Sequence, residues 1–352
     1  MTQQSDPMTR PDPIAGRRVL VTGGSGTIGA RLVDHLLARG PEVVRIFGRD
    51  ETKQFYQRQR YRDRKNVRFL IGDIRDRDRM MRAAEGIDVV FHCAALKHVE
   101  SGEYNPFETA LTNVTGTQNV IDACLAHGVG TMILTSSDKA ANPTSVMGAS
   151  KLLAEKLVTA ATHYRGSHQT VFASVRFGNV LGSRGSAVEL FAAQVAAGGP
   201  VTMTDPEMTR FVMSTDRAVD LAMEAGRIAR GGEVFVFKMP VACLKDIVNA
   251  AIAVFAPRHG RTPSDIAIVR IPVKPGEKPY EELMTAEESL RARDGGPMYV
   301  VLPSIETPND LAAAWEHLPA APVGGYRSYG VAPIDGAEVE AVLRAAIGGL
   351  EP

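Results

Sequence analysis

The chain has 352 residues, of which 40 are Lys or Arg and 40 are Asp or Glu, so its formal net charge is zero. That length supports a full hydrophobic core, either as one large α/β domain or as one domain with a smaller companion. The balanced charge excludes a global field drawing the protein to nucleic acid or a membrane surface, and no stretch reaches the ~18 uninterrupted apolar residues of a membrane span.

Residues 1–16 are polar and proline-containing, lack the apolar segment of a signal peptide, and are expected to form a flexible tail. The apolar run Val19, Leu20, Val21 then stops at Thr22. Glycines follow at Gly23, Gly26 and Gly29, and helical apolar spacing begins with Ile28, Leu32, Leu36 and Leu37. This reads as strand, tight turn, helix. Gly23 permits the turn, Gly26 lets a diphosphate approach the backbone, and Gly29 lets the helix lie close to the strand. Amides at the helix start then face an anion. The spacing GxxGxxG has one residue more in its first gap than the usual dinucleotide fingerprint, and only the flanking strand and helix raise it above a glycine-rich turn.

Glu42–Phe47 is a second strand, ending at Gly48-Arg49-Asp50. A carboxylate there grips a ribose 2′-hydroxyl, whereas an arginine accommodates a 2′-phosphate. Arg49 therefore argues for NADP, Asp50 keeps NAD open, and Arg49 as an ordinary loop charge remains a third reading. The basic run Arg58–Lys65 reads as a solvated loop or helix face rather than a polyanion site. Val67–Ile71 is a third strand. Asp73 beyond it either caps the next helix or receives an adenine amine. Val89–Ala94 is a fourth strand, and small Ala94 and Ala95 let a dinucleotide lie close. Lys97 and His98 project from the strand end into the presumed cleft, His98 as either a structural histidine or a substrate contact.

Helical spacing runs over Asn113–Leu125, Thr131–Thr135 is a fifth strand, Gly148–Ala161 a strong helix, and Val171–Phe177 a sixth strand. Apolar strands alternating with helices imply a parallel sheet covered on both faces, with right-handed connections. From about Gly182 the rhythm is less regular. Helices are expected at Val188–Ala197, Ser214–Ala229, Leu244–Phe255 and Asp335–Ile347, strands at Glu233–Phe237 and Ile266–Ile271, and a Pro/Gly-rich loop at Pro272–Pro279. This part reads as a smaller lobe at the carboxyl ends of the sheet strands, where open α/β sheets hold ligands. The three cysteines, Cys93, Cys124 and Cys243, lack metal-ligand spacing, so no metal site is expected; they fit a reducing compartment.

The richest stretch is TSSDKAANPTSVMGASK, Thr135–Lys151. Hydroxyls, an acid and two lysines leave the end of a central strand. Asp138 beside Lys139 is either a surface pair or chemistry, and the position favours chemistry. Desolvation and a neighbouring cation can bring a lysine toward a general-base pKa.

With TGGSGTIG, AALKHVE, NPFETALTNVTGTQNV, SSDKAANPTSVMGASKLLAEKL, RFGNVLGSRGS, TDPEMTRFVMS and PGEKPYEEL in one order, residues 19–302 resemble the extended short-chain dehydrogenase/reductases. More narrowly they resemble the nucleotide-sugar 4,6-dehydratases that act on UDP-N-acetylglucosamine in polysaccharide and glycan biosynthesis. The resemblance implies an α/β, Rossmann-type doubly wound parallel sheet with a smaller C-terminal substrate-binding lobe. Residues 17–181 would form the dinucleotide-binding domain. Residues 182–352 would form mainly the substrate lobe, with strands or helices returning to the first domain. Two departures stand out. Met147 occupies the place of the superfamily's catalytic tyrosine and cannot shuttle a proton, while Lys151 is kept. Ser137 replaces the usual threonine before Asp-Lys and keeps the hydroxyl. Branches with that methionine are often membrane-anchored; this sequence is expected to be a soluble, cytoplasmic form.

The resemblance implies NADP, or alternatively NAD, tightly bound and recycled. It would be held by Gly23, Ser25, Gly26, Thr27, Ile28, Gly29, Arg49, Asp73, Ile74, Ala94, Ala95, Lys97 and Lys151. Oxidation at sugar C4 would acidify C5. Lys139 would remove the C5 proton, Asp138 would protonate the departing C6 hydroxyl, and Ser137 would hydrogen-bond the C4 oxygen. A UDP-sugar would meet Lys97, His98, Met147, Asn179, Arg184, Ser186, Arg210, Glu277 and Lys278, with the arginines and Lys278 toward the diphosphate. The Asn105–Leu125 and Gly148–Ala161 segments resemble the helices that pair subunits in this superfamily, so a homodimer or larger homo-oligomer is expected. Two other readings stay open: a nucleotide-sugar epimerase or combined dehydratase/epimerase on the same scaffold, and a non-catalytic dinucleotide-binding protein.

Overall fold

The computed structural model describes residues 14–273, 277–305 and 310–347. Most of the N-terminal segment read as a tail, and the centre of the loop read over Pro272–Pro279, therefore lie outside the described residues. Residues 14–16 are tied down: Ile14 is buried, and the Gly16 amide donates to the Gly40 carbonyl.

Six strands, β1 (Arg18–Thr22), β2 (Val43–Gly48), β3 (Val67–Ile71), β4 (Val89–His92), β5 (Thr131–Thr135) and β6 (Val171–Arg176), lie parallel in the order β6-β5-β4-β1-β2-β3. Strand Val234–Phe237 adds to β6 in parallel, and the hairpin formed by Ala292–Asp294 and Met298–Val301 closes that edge antiparallel, giving nine strands. The strands are apolar because helices cover both faces: Val19, Val21 and Ile46 face one core, and Leu20, Phe47 and Val90 the other. Strand order reverses between β1 and β4, where Thr22 stands beside both Phe47 and His92. In a doubly wound sheet the crevice opens at such a switch point.

Several boundaries moved. Strand β4 ends at His92, and the segment read as one helix from Asn113 begins with a wide π turn, Leu111–Thr115, before the α-helix Gly116–Ala126. Inserted π turns frequently sit at functional sites. Here Asn113 uses the turn to grip a loop: its side chain accepts from the Leu96 amide and donates to the Leu96 carbonyl, at 2.8 and 2.9 Å. The basic run from Arg58 ends helix Glu51–Arg60 and continues into a turn; Arg60 pairs with Asp34, and Arg58 lies over the Phe69 ring. The antiparallel edge hairpin was not legible in the sequence.

A second hydrophobic cluster, including Phe191, Val201, Val212, Val248 and Leu343, supports the C-terminal elements. Beside it a small sheet joins Asn179–Val180, Thr209–Met213 and Val241–Cys243. Its register carries Asn179 and Arg210 to the carboxyl end of the main sheet. The short strand Glu282–Met284, paired with Tyr326–Arg327, brings Glu281 to the same place.

Candidate active site

The glycine turn comes first. After β1 the chain turns through Gly23 at φ +66° and enters helix α1 (Thr27–Ala38) at an N-cap, Gly26, that has no side-chain cap. A Cβ on Gly23 would lie 2.7 Å from the Ala94 nitrogen, and one on Gly29 would lie 2.7 Å from the Gly24 Cα, so both positions exclude a side chain. At Gly26 a Cβ would meet only the Gly23 carbonyl, at 3.2 Å. The amides at the helix start are thus approachable on one side, which fits a diphosphate. Ser25 is buried, Ile28 packs against the core, and Ile74 is buried under the β3 end.

At the β2 end, Arg49 is exposed and stands 3.5 Å from Asp73. Asp50 is occupied: it caps helix Glu51–Arg60 by accepting from the Lys53 amide at 2.9 Å and pairs with the Lys53 ammonium at 2.7 Å. Asp73 does not cap the following helix, Arg77–Ala84; Asp76 does. Asp73 instead accepts from the Arg75 amide and guanidinium, at 3.0 and 2.7 Å.

At the β4 end His92 is fully buried between Thr22 and Thr117, and burial pushes it down to about 3, so it stays neutral. Helix Val146–Tyr164 carries Lys151 back under the sheet, where its ammonium donates to the Thr135 carbonyl at 2.9 Å. Burial pushes Lys151 down to about 8, against the partial support of Cys93 and Glu155. Glu155 is in turn held by Arg176, whose guanidinium also pairs with Glu288, all of them buried.

The segment after Val180 folds over the glycine turn. The Arg184 amide donates to Thr27 Oγ1 at 3.1 Å, and its guanidinium donates to the Ser25 carbonyl at 3.3 Å. The Lys97 ammonium donates to the Arg184 carbonyl, and the His98 ring faces Gly185. The structure therefore gathers Lys97, His98 and Arg184 against the glycine turn. Ser186 begins helix Ala187–Ala197 without a side-chain cap bond.

A cavity of about 770 Å³ opens at the carboxyl ends of the strands. It is lined by Asp138, Lys139, Asn179, Arg210, Glu277, Lys278 and Glu281, with Val99, Glu100 and Glu103 on one wall. Lys97, His98, Met147, Arg184 and Ser186 are not among its lining residues. Met147 is 2% exposed and packs toward Gly102.

Inside the cavity the hydroxyl of Ser137 donates to Asp138 Oδ1 at 2.6 Å, and the Lys139 ammonium donates to Asp138 Oδ2 at 2.8 Å. Lys139 also lies 3.7 Å from Glu281 Oε1, which is 3.8 Å from the Arg210 guanidinium. Glu281 Oε2 accepts from Asn179 at 2.7 Å and from the Phe211 amide at 3.2 Å. Arg210 further pairs with Glu277 at 3.3 Å, and Lys278 donates to the Asn142 carbonyl at 2.8 Å. The expectation of a lowered lysine pKa is corrected here. Burial does lower Lys139, but the charges of Asp138 and Glu281 outweigh it and hold the ammonium well above its ordinary value. The lowered lysine is Lys151. Asp138 is driven down despite burial by the charge and hydrogen bond of Lys139, whereas burial and the nearby Asp138 push Glu281 up to about 7.

Sequence reasoning passed over Glu281, Asn113 and His92. Glu281 lies within the quoted stretch PGEKPYEEL, but in an irregular segment no periodicity tells which of its acids points inward.

A glycine turn at the switch point of a doubly wound sheet, with a buried lysine returning beneath it, defines a Rossmann-type protein of the short-chain dehydrogenase/reductase class. The chain belongs to the polysaccharide biosynthesis protein family, which matches residues 19–303, and so to the nucleotide-sugar dehydratases and epimerases of that class. An uncharacterized membrane protein of Methanocaldococcus jannaschii is 48% identical over 82% of this chain and 86% of its own length. Among the described residues here, no helix is long and apolar enough to cross a membrane. The inverting UDP-N-acetylglucosamine 4,6-dehydratase of Campylobacter jejuni is 37% identical over 83% of this chain and 84% of its own. A UDP-glucose 4-epimerase of Rickettsia canadensis is also 37% identical, over 80% and 82%. The X-ray structure of Pen from Bacillus thuringiensis superposes with a TM-score of 0.86 at 44% identity, covering 94% of this chain and 98% of that one.

Proposed function

We propose that the protein is a nucleotide-sugar 4,6-dehydratase acting on UDP-N-acetylglucosamine. The observation that carries this reading is the cavity holding Asp138, Lys139 and Arg210 together at the carboxyl ends of the parallel strands. An acid and a base on adjacent residues suit an elimination across C5 and C6, where a proton leaves one carbon as a hydroxyl leaves the next.

A nicotinamide dinucleotide, held by the glycine turn, Ala94, Ala95 and Lys151, would accept hydride from C4 and return it to C6. Arg49 at the β2 end supports NADP, since Asp50 is engaged with Lys53 and is not free to grip a ribose. Residues 17–181 would form the dinucleotide domain and residues 182–352 mainly the substrate lobe.

Ser137 hydrogen-bonds the C4 oxygen and takes over the place of the missing tyrosine. Lys139 removes the C5 proton. In the ligand-free protein it is an ammonium bound to Asp138, so its free amine arises when that proton moves onto the carboxylate. One transfer along the 2.8 Å hydrogen bond creates both the base and the acid. Asp138 then protonates the C6 oxygen, which leaves as water. Arg210 and Lys278 face the diphosphate, and Asn179 the sugar. Lys97 and Arg184 act beside the glycine turn.

Incubation with UDP-N-acetylglucosamine and mass spectrometry tests the reading: the product should be lighter by one water. An unchanged mass with a new sugar signal by NMR would favour the epimerase, which the Rickettsia relative keeps as the second reading. No turnover would leave a binding protein.

A further inference from the structure

The scheme above leaves Lys97 and Arg184 without a stated task beside the glycine turn. The loop that carries Arg184 is anchored in the C-terminal part of the chain. Val180 pairs with Met213 in the small sheet, the Leu181 amide donates to the Met213 carbonyl at 3.0 Å, and Leu181 and Val188 are buried in the second hydrophobic cluster. Between these anchors the chain crosses to the glycine turn. Arg184 makes both contacts there, its amide with Thr27 Oγ1 and its guanidinium with the Ser25 carbonyl. The tip is held in that shape. Gly185 has φ +70°, and a Cβ there would lie 2.5 Å from the His98 ring. The Gly185 amide donates to Glu189 on the following helix, and Lys97 donates to the Arg184 carbonyl.

Three observations make this tip more than a packing contact. Among the described residues, neither Arg184 nor Lys97 forms an ion pair with a carboxylate. A guanidinium carries several N–H donors in a planar fork, and the Ser25 carbonyl satisfies a single one of them. The adjoining start of α1 offers donors as well: Gly26 caps it without a side chain, and its first turn holds no acidic residue. Two cations without a paired acid thus adjoin a run of backbone amides, an arrangement that suits paired phosphates. Finally, neither cation lines the cavity that holds Asp138 and Lys139, which separates both from the place proposed for the sugar nucleotide.

We infer that Arg184, steadied by Lys97, binds the diphosphate of the nicotinamide dinucleotide, and that residues 181–186 form a clasp that retains it. This reassigns Arg184 from the sugar nucleotide to the cofactor. The clasp rests on the glycine turn as the dinucleotide site, and its use rests on the dehydratase reading. That reading needs a cofactor that is reduced and reoxidised on the same sugar, and so one that stays while sugar nucleotides exchange. A fork on a loop anchored in another part of the chain gives such retention, because the loop has to lift before the diphosphate can leave.

The test compares native protein with R184M and R184K. The Thr27 contact is made by the Arg184 backbone amide, so neither substitution removes it. Dissociation constants for NADP, NAD and UDP are measured by calorimetry on nucleotide-free protein. In R184M the constants for NADP and NAD should both rise about 10–10²-fold, the scale of a lost charged hydrogen bond, with UDP unchanged. R184K keeps the charge without the fork and should fall between. On the native chain alone, hydrogen exchange in peptides covering residues 181–186 should slow when NADP or NAD is added, a readout that holds even where a variant does not fold. Weakening of UDP in R184M would return Arg184 to the sugar nucleotide, and weakening of NADP alone would move it to the 2′-phosphate. Either result overturns the inference, as does unchanged dinucleotide binding or exchange that NADP and NAD leave unaltered. If R184M loses both dinucleotides while native protein releases no water from UDP-N-acetylglucosamine, the clasp stands and the dehydratase reading falls.

Discussion

Replacing Lys139 with methionine removes the ammonium and keeps an unbranched side chain in its place. The ammonium now lies 2.8 Å from Asp138 and 3.7 Å from Glu281. At an effective dielectric of 20 the two contacts are worth about 6 and about 4 kcal/mol, less the screening that comes with partial exposure. Asp138 would retain the Ser137 hydroxyl, and Glu281 would retain Arg210, Asn179 and the Phe211 amide; taking up a proton would relieve the lost charge, which spares the fold. Catalysis has no such remedy. Loss of a general base costs about 10²–10⁴-fold, or roughly 3–5 kcal/mol in the barrier. The informative assay is single turnover with UDP-N-acetylglucosamine and oxidised cofactor, following reduced-nicotinamide absorbance and water loss separately. In K139M the cofactor should become reduced and stay so, without dehydrated product. In S137A the reduction itself should slow. If K139M blocks reduction while S137A leaves it untouched, the roles are reversed: Lys139 would serve the oxidation at C4. The C5 base would then be sought at Glu100 or His98, of which only Glu100 lines the cavity.

Arg49→Ala should weaken NADP more than NAD, by about 1–3 kcal/mol for a lost charged hydrogen bond, and equal weakening by calorimetry would remove the 2′-phosphate role. Lys151, pushed down by burial to about 8 from a lysine's ordinary 10.5, binds fewer protons folded than unfolded between those values, so it makes stability rise with pH across that window. Lys151→Met should flatten the rise in denaturation midpoint from pH 8 to 10, and an unchanged slope would contradict the burial argument. Arg176→Met strands Glu155 and Glu288 without their cation and should cost about 3–5 kcal/mol in urea unfolding; a loss below about 1 kcal/mol would mean the two acids find other partners. Phe107, Leu153 and Tyr164 are exposed on helices Pro106–Ala110 and Val146–Tyr164. Light scattering at micromolar concentration should therefore give a dimer that Phe107→Glu dissociates, and a native monomer would contradict that.

What the sequence determined by itself is local or periodic. The β1–α1 turn was legible because φ at Gly23 and the close approach at Gly29 admit no side chain. The strands β1 to β6 were legible because burial on both faces writes itself as uninterrupted apolar residues. The Ser137–Asp138–Lys139 group was legible because its members are adjacent in the chain. Tertiary structure decided what depends on distant partners. Lys139 and Lys151 look alike in sequence, yet one sits between two carboxyls and the other under a carbonyl, so their pKa values move in opposite directions. Arg184 and Arg210 both read as diphosphate ligands, but one lies on the glycine turn and the other in the cavity. Glu281 meets Lys139 across more than a hundred residues through a two-residue strand pairing and the Ser328 hydroxyl. No periodicity marks such a contact, because what brings the two side chains together is the packing of the C-terminal lobe onto the sheet.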